Sequence, residues 1–433
     1  MNDSKSVTFD QQRSVSNKNN HFADKIKSLI PQGYELIPQL NEVYELQLAL
    51  MEADVLSPDG VLDRGAYFQS INGNKTKHFL MCSGDPLSIT MGGDRRRNFF
   101  KNNAFKTGYA THGFFPYRGK FHPQMIKALI NIMGMKPGNI ILDPMMGSGT
   151  TLIEAATMGI DSVGFDLSPF CNLMAQAKLD GLGVDVSELL KVISSNGNLE
   201  KYADETQNLI KSGNFDNISP SKRVTTLAYL DAVGLSRRNE RKTLKFGFRE
   251  IMSKYVGAIS KFQKFVNNLR MSIGDGKCKV ADARKMPLDS ESIDGIIFSP
   301  PYSFAIDYIE NDITQLQMMK TNIPEMRSKL TGLRGRKGVE QVNNYRADID
   351  RILSECARVL KQDHYCLVVV GTNSNQLNAL RKRVALRDLE HSLEEMFTKK
   401  AIDAGLTYQS EIKRQITGIA NTMREESILV FKR

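Results

Sequence analysis

The stretch Ser299-Pro300-Pro301-Tyr302 closes the apolar run Ile296-Ile297-Phe298 with a hydroxyl, two prolines and an aromatic ring. Neither proline has an N–H to donate, so the strand ladder ends there in a stiff corner. Stiffness has a chemical use. The exocyclic amino group of a nucleobase is a poor nucleophile, because its lone pair is delocalised into the ring. Two acceptors held rigidly against it bond both of its protons and favour a pyramidal nitrogen with a free lone pair. The Ser299 side chain and the Pro300 carbonyl are the candidate pair, with Pro301 bracing them. Tyr302 is placed to stack on a base that has left its helix. Positioning of this kind replaces an entropy loss at the moment of reaction. The structural alternative is a Pro-Pro turn followed by a core tyrosine.

A second cluster is Asp143-Pro144-Met145-Met146-Gly147-Ser148-Gly149-Thr150-Thr151. Its glycines let the backbone turn tightly and approach a ligand closely, and the helix behind it offers unpaired N–H groups from its first turn. No Gly-Lys-Ser/Thr follows, so this is not a phosphate loop. Asp166, followed by Leu167, ends the next strand, where an acid accepts hydrogen bonds from both hydroxyls of a ribose. Asp282, followed by Ala283, comes after a third strand, where a carboxylate or its neighbours could meet an adenine amino group. Each acid alone reads as a surface cap. Three in register at successive strand ends point to an adenosine-containing cofactor.

These residues need a frame, and the chain supplies one. A helix is predicted over 123–134, with Pro123 in its first turn and Gly134 ending it. A strand over 139–144, a turn and helix over 147–159, a strand over 161–166 and a helix over 168–179 follow, the last with Ser168 as N-cap and Pro169 at its first position. Short loops between them imply parallel βαβ units. Residues 181–275 break the rhythm with helical patterning and no strand. Ile251, Tyr255, Ile259, Phe262, Val266 and Leu269 mark one face of a long helix there. Strands resume at 278–283 and 292–298, then a helix at 346–360, a strand at 365–371 and a charged helix at 375–403. Two β-rich stretches, 408–419 and 426–433, read as an antiparallel pair at a sheet edge. The expected fold is α/β and Rossmann-like: a seven-stranded, mostly parallel sheet that binds ligands at the carboxyl ends of its strands.

Composition narrows the classes. The chain has 433 residues, 41% of them hydrophobic, and no apolar run long enough to span a membrane. Its five cysteines, Cys82, Cys171, Cys278, Cys356 and Cys366, are scattered. That argues against a disulfide framework and a metal site, and suits a reducing cytoplasm. Residues 1–25 read as a polar tail without the core of a signal peptide, and 26–106 as a small α/β accessory segment. The net charge of +10 points to a polyanion, meaning nucleic acid. The positive charge is dense at 94–101, 235–246 and 327–346, the last rich in Gly and Arg.

With these motifs in place, the sequence resembles the amino-methyltransferases dependent on S-adenosylmethionine, and most closely the DNA methylases that act on cytosine N4. Asp143 to Thr151 resembles that family's first motif, with Met145 where Phe is common. Gly164 to Pro169 is similar to the second, with Asp166 as the ribose acid, and Ala281 to Pro287 to the third. Ser-Pro-Pro-Tyr is the form typical of cytosine-N4 enzymes, whereas adenine-N6 enzymes more often begin with Asp or Asn. Residues 111–126 resemble the segment that lies over the methionine part of the cofactor, which implies roles for Lys120, Phe121 and Pro123. The implied cofactor set is therefore Lys120, Phe121, Pro123, Asp143, Pro144, Met145, Gly147, Ser148, Gly149, Thr150, Asp166, Leu167, Asp282 and Ala283. The resemblance covers roughly 107–180 and 276–433, the cofactor-binding and catalytic halves.

The implied activity is methylation of a flipped cytosine in double-stranded DNA, with a restriction endonuclease as a possible partner. Relatives often carry their recognition region after the catalytic half. Here the edge strands close the chain, so recognition is expected from the N-terminal segment, the insertion and the basic loop at 327–346 together, where Arg334, Arg336 and Lys337 are candidates for phosphate or guanine contacts. The rivals are adenine-N6 methylation of DNA, methylation of a base amino group in RNA, and a silent nucleic-acid-binding protein that keeps the fold. No Pro-Cys nucleophile motif stands at the corner, which disfavours methylation at cytosine C5.

Overall fold

The computed structural model describes residues 22–38, 40, 42–83, 108–117, 119–194, 199–212, 215, 218–238, 243–301, 307–336, 338–371, 392–415 and 425–433. Contacts divide the chain into two compact units: Met1–Lys106 with Gln124–Gly134, and Thr107–Pro123 with Met135–Arg433.

The first unit holds three antiparallel strands, β1 (Tyr34–Leu36), β2 (Phe68–Ile71) and β3 (Asn74–Lys75), in that order. Its helices are α1 (Val43–Val55), α2 (Pro58–Arg64), α3 (Lys77–Ser83) and α4 (Pro123–Ile132). Two expectations change here. Residues 22–27 are helical with Ala23 and Ile26 buried, so structure begins inside the segment read as a tail; the three-residue spacing gives this turn an apolar side. Helix α4 was expected with the cofactor half, yet it packs with the N-terminal unit. Its Gln124 Nε2 donates to the Ala66 carbonyl (2.6 Å), and Asn131 Nδ2 to Glu52 Oε1 (2.6 Å) and the Arg64 carbonyl (2.9 Å). Buried amides go where their partners are.

The second unit is built on a seven-stranded sheet: β4 (Ile140–Asp143), β5 (Asp161–Asp166), β6 (Gly276–Val280), β7 (Ile293–Phe298), β8 (Leu360–Val370), β9 (Thr407–Gln415) and β10 (Glu425–Lys432), in the order β6-β5-β4-β7-β8-β10-β9. The first five strands in that order run parallel, and β10 is antiparallel to both β8 and β9. This is the α/β Rossmann-like methyltransferase arrangement expected from the sequence. The closing antiparallel pair stands at one edge of the sheet as expected, with β10 inside and β9 outermost. Strand β7 is buried over its whole length, as its nearly continuous apolar run requires. Its one charged residue, Asp294, is satisfied by the Ile140 N–H (2.8 Å) and Lys361 (2.7 Å).

Helices α5 (Thr150–Thr157) and α6 (Pro169–Gly183) follow β4 and β5. The Ser168 hydroxyl caps α6 by accepting from the Cys171 N–H (3.3 Å), with Pro169 in its first turn. Four helices then fill the insertion: α7 (Val186–Ser194), α8 (Leu199–Ser212), α9 (Pro220–Arg238) and α10 (Leu244–Leu269). On α10 the expected face is buried at Ile251, Tyr255, Ile259 and Phe262, and it continues through Phe265 while Val266 and Leu269 are half-buried. Beyond β7 come α11 (Tyr308–Met318), α12 (Ile323–Lys329) and α13 (Val339–Val359), and before β9 stands α14 (Leu393–Asp403). The basic stretch 327–346 is therefore a loop only between α12 and α13. Helix α13 starts well before 346 because Val342 and Tyr345 are buried and extend the apolar face of Ile349, Ile352 and Cys356.

Two apolar cores flank the sheet. One joins α6, the insertion and α11 through Phe170, Leu227, Tyr255 and Leu316. The other packs Leu142, Ile296 and Phe298 of the sheet against Ile349, Leu353 and Phe397. Among the described residues, no helix is long and apolar enough to cross a membrane.

Candidate functional site

A cleft opens at the carboxyl ends of β4, β5, β6 and β7, where the strand order reverses between β4 and β7. With its open mouth included it spans about 1040 Å³. Of the residues expected to hold a cofactor, Lys120, Phe121, Pro144, Met145, Gly147, Ser148, Thr150, Asp166, Leu167, Asp282 and Ala283 line it, and Ser299 and Pro301 line the same space. Three others do not. Pro123 is the first residue of α4, while Asp143 and Gly149 shape the loop from behind.

Asp143 is buried and turned back into its own loop. Its carboxylate accepts from the Met145 N–H (3.1 Å) and the Thr151 hydroxyl (2.7 Å). Burial pushes its pKa up to about 7 against those bonds, with the nearby Asp166 charge adding to the rise. Gly149 is the left-handed N-cap of α5 (φ 75°), and a Cβ there would meet the Ala175 Cβ at 2.8 Å. It is glycine so that α5 and α6 can approach. The loop is fixed further by the Met146 N–H on the Phe165 carbonyl (2.9 Å) and by the buried Lys178 ammonium on the Ser148 carbonyl (3.2 Å).

Asp166 faces the cleft and also ties it together. It accepts from the Gly147 N–H (3.0 Å) through one oxygen and from the Ser168 N–H (2.8 Å) through the other. Burial raises it to about 6, opposed by these backbone bonds. Asp282 is gripped by the Arg284 guanidinium (2.6 Å), which also reaches the buried Asp348 (2.9 Å). Burial would raise Asp282, but the Arg284 bonds prevail and hold it below the usual range.

The segment before β4 supplies a wall that the sequence only partly discloses. Tyr117 and Gly119 join Lys120 and Phe121 in the lining. Gly147 (φ 48°) and Gly119 (φ 75°) lie under the Tyr117 and Tyr308 rings respectively, where an added Cβ would stand 3.5 Å away. The segment is anchored on α5: Glu154 Oε1 takes the Tyr109 hydroxyl (2.6 Å) and lies 2.6 Å from His112 Nε2.

The opposite wall was missed. Tyr308, Asp312 and Leu316 of α11 line the cleft. Their spacing of four places them on one helical face, a signal present in the sequence but hidden behind the Ser-Pro-Pro-Tyr motif. The corner itself is braced from α13, whose Tyr345 hydroxyl donates to the Pro301 carbonyl (3.0 Å). Tyr302 and Lys337 lie outside the described residues. Arg334 is paired with buried Asp348 and shares a shallow depression with Arg284, Lys285, Lys329 and Arg351. Arg336 is exposed, and its backbone N–H donates to Glu340 (3.1 Å).

A nucleoside has a polar sugar edge and apolar base faces. The cleft offers the Asp166 carboxylate, a glycine loop pressed under an aromatic ring, and apolar walls at Phe121, Met145, Leu167 and Ala283. The residues present fit such a ligand.

Residues 114–254 match the RMKL-like methyltransferase domain family (UPF0020). A type II methyltransferase, M.MjaII of Methanocaldococcus jannaschii, is 45% identical over 82 residues, 19% of this chain and 15% of that protein. M.MvaI of Kocuria varians is 29% identical over 144 residues, 33% and 29% of the two chains. A tRNA (guanine(10)-N2)-dimethyltransferase of Methanothermobacter thermautotrophicus is 43% identical over 53 residues, 12% and 16%. The chain thus spans less than a third of each of these relatives. A solved S-adenosylmethionine-dependent methyltransferase of Methanosarcina mazei aligns over 69% of this chain and 94% of its own at 12% identity, with a TM-score of 0.32. That likeness is too slight to carry weight; the fold stands on the strand order. Residues 114–254 thus resemble a methyltransferase domain, and the second unit has the strand order of the Rossmann-like methyltransferase fold.

Proposed function

We propose that the protein transfers a methyl group to the exocyclic amino group of a nucleobase, the N4 of a flipped cytosine in double-stranded DNA. The observation that carries this reading is the sharing of one cleft by Ser299 and Pro301, at the end of β7, and by Gly147 and Asp166, at the ends of β4 and β5. Bound S-adenosylmethionine supplies an electrophilic sulfonium methyl. Asp166 holds the ribose, and the Gly147 loop, Met145 and Ala283 hold the rest of the nucleoside. Lys120, whose ammonium donates to the His112 carbonyl (3.3 Å), serves the methionine end. Burial lowers its pKa from the usual lysine value.

The Ser299 hydroxyl and the Pro300 carbonyl accept the two amino protons and free the nitrogen lone pair. Tyr302 stacks on the base. Tyr345 keeps the corner from relaxing, so orientation is set before the reaction. Arg334, Arg336, Lys337 and the cations around Arg351 bind backbone phosphates, which predicts a steep salt dependence. A restriction endonuclease is a fitting partner for such an activity.

A second reading, methylation of a base amino group in RNA, is favoured by one observation. Short matches to tRNA guanine-N2 dimethyltransferases stand beside those to the type II enzymes. Incubation with labelled S-adenosylmethionine and either plasmid DNA or total RNA, followed by digestion and mass identification of the nucleoside, decides between them. N4-methyl-2′-deoxycytidine from DNA is expected; label only in RNA overturns the first reading. Ser299→Ala is expected to lower turnover about 100-fold or more while cofactor affinity stays within about twofold. Equal loss of both would refute the role given to Ser299.

A further inference from the structure

Asp312 is the cleft's unexplained acid. It lies on the face of α11 that lines the cleft and is only 6% exposed. Among the described residues no Lys, Arg or His is paired with it, and none donates a hydrogen bond to its carboxylate. The groups that face it are Asp166 at the end of β5, Tyr117 of the segment before β4 and Cys171 of α6; Tyr308 stands one turn earlier on its own helix. All are neutral or negative, and Asp166 repels it. Burying a carboxylate among such neighbours is unfavourable unless a positive charge joins it. Two other cleft acids differ: Asp166 has two backbone donors, and Asp282 has Arg284.

Resting on the reading of this cleft as the S-adenosylmethionine site, we propose that Asp312 is an anionic subsite for a positive charge on the cofactor, its sulfonium or its α-ammonium. The charge of the ligand supplies what the protein leaves out. Burial, with Asp166 adding to it, raises Asp312 to about 7, so near neutrality the group is poised to ionise when a cation arrives.

The test is calorimetric binding of three ligands to the full chain and to Asp312→Asn. S-Adenosylmethionine carries both cations, S-adenosylhomocysteine only the ammonium, and 5′-methylthioadenosine neither. The substitution should weaken S-adenosylmethionine about tenfold or more, the factor that one unit of acidity shift represents, and leave 5′-methylthioadenosine within about twofold. If S-adenosylhomocysteine is spared, the sulfonium is the partner; if it weakens equally, the ammonium is. An unchanged ratio between S-adenosylmethionine and 5′-methylthioadenosine overturns the proposal, as does equal loss of all three.

The wild-type chain gives a second readout that needs no variant. The affinity ratio of S-adenosylmethionine to 5′-methylthioadenosine should fall several-fold from pH 8 to pH 6 as Asp312 takes up its proton. A flat ratio overturns the proposal. If the wild-type chain binds none of the three, the cofactor reading itself fails, which is a different result from an indifferent Asp312.

Discussion

Glu52 in the N-terminal unit and Asp312 in the methyltransferase unit are both buried carboxyls that burial pushes up to about 7. Their surroundings differ. Glu52 accepts the Ala66 N–H through both oxygens (3.0 and 3.1 Å) and the Asn131 amide (2.6 Å). It joins α1, the end of α2 and α4 into one body. Asp312 accepts from no described residue and faces a cleft. Burial therefore brings to a similar value a carboxyl that ties three segments together in one unit and one that takes no hydrogen bond from a described residue in the other. Perturbed acidity locates burial; the partner list decides whether the group holds the fold or waits for a ligand.

The largest effect that could break this contrast comes from Glu52→Ala. It leaves the Ala66 N–H and the Asn131 amide without their acceptor and should remove about 3 kcal/mol of unfolding free energy. Denaturant unfolding measures the loss, and calorimetry should show cofactor affinity unchanged. Loss of cofactor binding by a variant that still folds would erase the distinction.

Nearly as large is the pH effect. Glu52 rises from 4.5 to about 7 on folding, so the native state binds its proton more tightly than the unfolded chain. Its contribution is full below pH 4.5 and lost as pH rises through about 7, at most about 3 kcal/mol. Glu52→Gln should flatten that part of the stability profile; an unchanged slope would mean that Glu52 does not titrate as described.

Tyr345→Phe removes the bond to the Pro301 carbonyl. It should cost about 1 kcal/mol and lower turnover several-fold with cofactor affinity intact, measured by steady-state kinetics beside binding. The last prediction sharpens the contrast from the other side: Asp312→Asn breaks no hydrogen bond to a described residue and removes a carboxyl whose ionised form burial disfavours, so at pH 8 it should raise the unfolding free energy instead of lowering it. A loss as large as that of Glu52→Ala would make Asp312 a structural tie too.

The sheet was readable because its central strands are buried on both faces and carry short apolar runs between turn residues, as at Ile140–Asp143 and Ile293–Phe298. The acids at the strand ends were readable as positions but not as directions. Asp143 and Asp166 look alike in sequence, yet one carboxylate turns into its loop to take Thr151 and the other faces the cleft. Periodicity gives the element, and only packing sets the rotamer. Helix α4 was assigned to the wrong unit for a related reason: its caps mark where it starts and stops, while Gln124 and Asn131 choose partners distant in sequence. The pairing of Arg334 with Asp348 was not legible, because Asp348, on the next helix, lies beyond any local pattern. The wall of α11 was legible in principle, since Tyr308, Asp312 and Leu316 recur every four residues.

The helices between β5 and β6 have a consequence for transplantation. The Gln315 amide reaches the Leu230 carbonyl (3.4 Å), Arg237 reaches the Thr314 hydroxyl (2.7 Å), and Ile309 and Leu316 share one core with Leu227 and Leu230. The segment that looks like a removable cassette is thus the backing plate of the helix that presents Asp312. A chimera that exchanges it for another enzyme's insert would be expected to lose its grip on the methyl donor before any change in target choice became visible.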